Sequence, residues 1–132
     1  MRSAGFRRFG FLIAAIGLAS PAAAGEGLFC TDGAGTDLHL PLAGVPGLFP
    51  LGAELKAVGQ VWATDTAVAG ATPITVGQAF SADDRMLVDL LDAERNEIVA
   101  ELRLFVTREN DDPVIAGTLR IAGLGAYAVN CS

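Results

Sequence analysis

The stretch Glu97-Ile-Val-Ala-Glu-Leu-Arg-Leu-Phe-Val-Thr107 decides the fold class. Ile98, Ala100, Leu102, Leu104 and Val106 share one face, while Val99, Glu101, Arg103, Phe105 and Thr107 share the other. A repeat of two is the mark of a strand with one buried and one solvated face, because successive side chains of extended backbone point in opposite directions.

Working outward, the same period recurs. Residues 36–42 place Leu38, Leu40 and Leu42 opposite Asp37, His39 and Pro41, and the proline suits a strand end or an edge. Ala53, Leu55 and Ala57 alternate with Glu54, Lys56 and Val58, and Gly59-Gln60 then turns the chain into a short strand, Val61-Trp-Ala-Thr64. Ile74, Val76, Gln78 and Phe80 form another alternating run after the turn-like residues 68–73.

Residues 81–94 admit two readings. Ser81-Ala-Asp-Asp84 resembles a helix capping box, with Met86, Leu87, Leu90 and Leu91 at helical spacing. Met86, Val88 and Leu90 also alternate, and Asp92-Ala-Glu-Arg-Asn96 is a polar connection into the strong strand, so a hairpin is the preferred reading. On the far side, Glu109-Asn-Asp-Asp-Pro113 has turn composition. Residues 114–122 return as a strand with Gly117 as a bulge, and Gly123-Leu-Gly125 leads into Ala126-Tyr-Ala-Val-Asn-Cys131. The expected fold is all-β: a small antiparallel sandwich or barrel of about eight short strands joined by glycine and proline turns.

The amino end has a different character. Arg2, Arg7 and Arg8 precede an uncharged run from Phe9 to Ala19, a break at Ser20-Pro21 and the small residues Ala22-Ala-Ala24. That order predicts a signal peptide over 1–24, cut before Gly25, leaving a single β domain over 25–132 in the periplasm or secreted. The apolar run is far below the roughly 20 residues of a membrane-spanning helix, so no stable membrane anchor is expected. Arg7-Arg8 leaves twin-arginine export as a second route, although Gly10 departs from its pattern.

Taking 24 residues from 132 leaves 108, enough for one core. Removing the three leader arginines from nine basic residues leaves six against fifteen acids, a formal charge of −9. Such a surface argues against nucleic acid, whose binding draws on a lysine and arginine surplus, and favours a cationic protein as partner. Export also makes Cys30 and Cys131, the two cysteines, a candidate disulfide that ties the two ends of the domain together.

No catalytic, cofactor or metal site is expected. Two cysteines and an isolated His39 do not make a zinc site. Ser81 and Ser132, the serines beyond the leader, offer few ways to build a triad with His39. Asp32-Gly-Ala-Gly-Thr-Asp37 lacks the ligand spacing of a calcium loop. The uncharged segment Leu42-Ala-Gly-Val-Pro-Gly-Leu-Phe-Pro-Leu51 is the candidate contact surface, through Val45, Leu48 and Phe49. Facing outward they form an apolar partner patch; facing inward, the preferred orientation, they cap the end of the fold. The expected function is therefore an exported, non-catalytic domain, inhibitor-like or adaptor-like, that binds another protein. A structural or accessory envelope protein is the alternative, and a small hydrolase ranks third.

Overall fold

A computed structural model describes residues 27–132. The signal peptide expected over 1–24 lies outside the described residues. Nine strands follow one another: β1 (Gly27–Thr31), β2 (Asp37–Pro41), β3 (Glu54–Ala57), β4 (Gln60–Ala63), β5 (Thr72–Ser81), β6 (Arg85–Asp92), β7 (Ile98–Glu109), β8 (Asp112–Ile121) and β9 (Gly125–Cys131). Each pairs with its neighbour in sequence, and β1 pairs with β9, so the sheet closes into a barrel. The choice between sandwich and barrel falls to the barrel, and residues 81–94 form a hairpin, with no helix.

Closure with nine strands carries a geometric requirement. If every connection reversed direction, β1 and β9 would run parallel, yet Cys30 opposes Cys131 and Thr31 opposes Asn130 in an antiparallel pair. One connection must therefore keep direction. It is residues 64–71, after which β5 runs parallel to β4 through two pairs, Trp62 with Thr72 and Ala63 with Pro73. Parallel neighbours ordinarily need a crossover of a dozen residues or more; β4 has four residues, so a short return suffices.

The core fills the barrel interior with leucines 28, 38, 40, 55, 90, 102, 104 and 119, together with Ile74, Val88, Ile121, Val129 and Trp62. Outward positions of β6, β7 and β8 carry a charged ladder: Arg103 Nη2 lies 2.7 Å from Asp89 Oδ1, and Arg120 Nη1 lies 2.9 Å from Glu101 Oε2. Cys30 and Cys131 are joined by a disulfide across the β1–β9 seam.

The structure corrects five local expectations. Against about eight expected strands there are nine, the added one being β1, which holds Cys30; Phe29, 45% exposed on its outer face, masks the alternation of Leu28 with Cys30. The turn after β3 is Val58-Gly59, one residue earlier than Gly59-Gln60. Gly117 is not a bulge: β7 and β8 stay in register from Ala100 opposite Ile121 to Glu109 opposite Asp112, and Gly117 is required because a Cβ there would overlap the Arg103 carbonyl oxygen. The bulges lie elsewhere. One, at Gly77-Gln78, splits the run 74–80: Ile74 and Val76 pack toward the core, then Ala79 does, and Phe80 turns outward. The other, at Val99, puts Ile98 opposite Leu91 and on the outer surface, away from the face of Ala100 and Leu102.

Candidate functional site

Strand direction gathers one set of connections at a single end of the barrel. The β2–β3 loop, the β5–β6 turn and the β7–β8 turn all lie there. The β2–β3 loop is a rigid strap. Leu42 forms a bridge with Pro50, the Ala43 N–H donates to the Phe49 carbonyl at 2.9 Å, and the Leu51 N–H donates to the Pro41 carbonyl at 2.7 Å. Gly47, at φ 105°, turns the chain at the tip, and the Phe49 ring lies so close that a Cβ on Gly47 would come within 2.8 Å of it.

The three side chains singled out in this loop divide. Leu48 is 5% exposed and plugs the barrel, whereas Val45 at 53% and Phe49 at 56% project into solvent. Inward and outward orientations thus coexist, because a loop whose tip is anchored by one leucine must show its other faces to water.

Beside the plug lies a hollow of about 500 Å³, walled by Leu42, Leu48, Met86 and Val106, with Asp83 and Arg108 at its rim. The β5–β6 turn is fastened to β7 by the Val106 N–H, which donates to the Asp84 carbonyl at 2.9 Å. Two residues beyond Arg108, Asn110 and Asp111 make the β7–β8 turn at φ 50° and 67°, as a two-residue hairpin of the primed type requires. Asp83, Asp84, Glu109, Asp111 and Asp112 therefore crowd the end that displays Val45 and Phe49, with Arg85 and Arg108 as the bases among them. Arg85 Nε is 3.5 Å from Asp84 Oδ1. The end is apolar at its strap and acidic at its hairpin tips.

The chain matches no family model, no curated protein and no solved structure. Its chemistry therefore has to be read from its own side chains.

The other residues weighed from sequence are held by local structure. His39 lies on the outer face of β2, opposite Phe29 and Glu54, its ring 6.2 Å from the Phe29 ring. Asp32 holds its own turn: Oδ1 accepts from the Ala34 N–H at 2.7 Å and the Thr36 N–H at 2.9 Å. Those backbone donors, Ala34 foremost, hold the Asp32 carboxyl below the ordinary value of 3.8, since they favour its charged form. Ser81 borders the hollow. Among the described residues, His, Cys, Asp and Glu form no group of three or more that could hold a metal ion.

Sequence reasoning did not bring Asp83, Asp84 and residues 109–112 to the same end as the strap. In a plain meander the β2–β3 strap would lie at the opposite end from the β5–β6 and β7–β8 turns; the single parallel step from β4 to β5 brings them together, and alternation along the chain carries no signal of that step.

Proposed function

We propose that this protein is an exported, non-catalytic binding domain whose partner is a cationic protein, docked on the barrel end formed by the β2–β3 strap and the acidic hairpin tips. One observation carries the reading: Val45 and Phe49 stand exposed on a strap that Leu48 and two backbone hydrogen bonds anchor, at the barrel end that also carries the acidic β5–β6 and β7–β8 turns. A small apolar centre with a charged rim is how protein interfaces are built, and a preorganised loop loses little freedom on docking. The carboxylates steer a basic surface toward the end and fix its orientation.

The compartment follows from the same reading. The leader over 1–24 directs the domain of residues 25–132 to the periplasm or outside the cell, and the disulfide is of the sort that forms and persists in oxidising surroundings. Removal of Arg2, Arg7 and Arg8 with the leader deepens the negative charge that the partner meets.

The experiment is crosslinking in the exported compartment, followed by rebinding of the purified captured protein. The expected result is a basic protein whose affinity drops steeply as salt rises through the physiological range, where exposed charges are screened beyond about 8 Å. It should weaken further with Phe49→Ser. An acidic or neutral partner bound without salt dependence overturns the reading, and an empty capture favours a structural role in the envelope.

A further inference from the structure

The barrel is closed by β4 along only part of β5. β5 has ten residues, yet on the β4 side only Thr72 and Pro73 are paired. β4 stops at Ala63, and the chain then turns away through residues 64–71. Among the described residues, no strand pairs with residues 74–81 on that side, and no backbone hydrogen bond from the surrounding loops reaches them. The Val76 carbonyl accepts from Arg95 Nη1 at 3.3 Å, an exposed contact.

Edge strands are normally guarded by charged side chains, because a row of unpaired N–H and C=O groups is a template for another strand. Thr72-Pro-Ile-Thr-Val-Gly-Gln-Ala-Phe-Ser81 contains no charged residue. Its proline lies before the open stretch, and its bulge leaves residues 74–76 and 79–81 on either side. Phe80, beside the open rung, is 56% exposed.

Both ends of the stretch are acidic. Asp65 lies two residues beyond β4, in an exposed turn where its Oδ1 accepts from the Ala67 N–H at 2.8 Å, and Asp83 lies two residues beyond β5, lining the hollow. Neither joins any of the ion pairs among the described residues.

We infer that residues 74–81 of β5 accept an extended segment of the cationic partner as an added strand, with a lysine or arginine at each end of that segment meeting Asp65 and Asp83. This inference rests on the proposed function and specifies its binding mode. Eight residues of strand span roughly 26 Å, which sets the length of the incoming segment. Main-chain hydrogen bonds supply affinity and the two terminal charges supply selectivity. A second copy of this chain is the wrong occupant: antiparallel pairing of two β5 edges would set Asp65 of each against Asp83 of the other. The slot ends in the hollow beside Leu48, so the added strand and the apolar strap form one continuous surface.

The test uses the synthetic peptide Lys-Val-Thr-Val-Thr-Val-Thr-Lys, the same peptide with glutamate at both ends, and a version N-methylated at alternate amides. Amide hydrogen exchange of the disulfide-bonded domain is followed with each. The lysine-ended peptide should protect the amides of residues 74–81; the other two should not. Gln78→Lys with Phe80→Lys should weaken that peptide roughly tenfold, as edge charges block strand addition, whereas Thr107→Lys on the doubly paired β7 should not. Protection confined to residues 45–49, or binding that survives N-methylation, overturns strand addition while leaving the cationic partner in place. Failure of the lysine-ended peptide to bind, or a dimer formed through residues 74–81, overturns it as well.

Discussion

Val58 holds a branched, 67% exposed side chain at φ 50°, in the left-handed region that β-branched residues avoid. It shares the two-residue β3–β4 turn with Gly59 at φ 72°, the arrangement for which Asn-Gly is the preferred pair. Val58→Asn should therefore raise stability by about 1 kcal/mol, measured by urea unfolding, since little packing is lost and left-handed strain is relieved. Gly117 is the opposite case. Its missing Cβ is what lets β8 approach the Arg103 carbonyl, so Gly117→Ala should cost about 1–3 kcal/mol or prevent folding, as overfilled packing does. At Asp32 the folded carboxyl titrates below its unfolded value, so its stabilising contribution is present above pH 3.8 and is lost as pH falls through the folded value. Asp32→Asn should remove that part of the acid dependence, and a carbon-detected titration should place the Asp32 midpoint below 3.8.

At the scale of elements, the strap over residues 42–53 separates stability from recognition. Leu48→Ala removes a plug that is 5% exposed and should destabilise the fold by about 2–4 kcal/mol. Val45→Ser and Phe49→Ser touch exposed positions and should shift stability by no more than about 0.5 kcal/mol while weakening the partner complex. Equal effects on stability from all three substitutions would mean that the strap is merely structural. The β5, β6 and β7 strands show how a bulge reads from sequence. A single extra residue moves the rest of the strand to the other face, so the alternation through Ile74, Val76, Gln78 and Phe80 is continuous in sequence and broken in space. Gly77 marks that break, because a Cβ there would press within 2.9 Å of Leu91 Cγ.

For the molecule as a whole, the Cys30–Cys131 bond spans 101 residues and joins the first strand to the last. The β1–β9 seam it crosses has two strand pairs, reinforced by Phe29 N–H to the Ser132 carbonyl and Ser132 N–H to the Phe29 carbonyl, each at 2.9 Å. So short a seam depends on the covalent link. A loop of that length corresponds to roughly 4–5 kcal/mol of restricted unfolded-chain freedom. Reduction, or Cys30→Ala with Cys131→Ala, should lower Tm by more than about 10 °C and raise amide exchange first in β1 and β9. Intact mass with and without reductant, plus thiol labelling, checks the bond in the exported protein.

Local alternation was enough to establish strands at residues 98–107, 36–42 and 114–122, because it needs only the geometry of extended backbone and the exclusion of leucine from water. The pairing of the cysteines was also legible, since a chain with two of them offers one intramolecular bridge. The sequence by itself thus determined an all-β domain with clasped ends and marked residues 42–51 as its apolar loop. Only the tertiary structure decided that nine strands close into a barrel through one parallel step, that Leu48 turns in while Val45 and Phe49 turn out, and that Asp83, Asp84, Glu109, Asp111 and Asp112 lie at the same end of the barrel. The reason is physical: alternation specifies which face of a strand is wet, whereas register, bulges and closure depend on which backbone edges meet, and those edges are almost identical from one strand to the next.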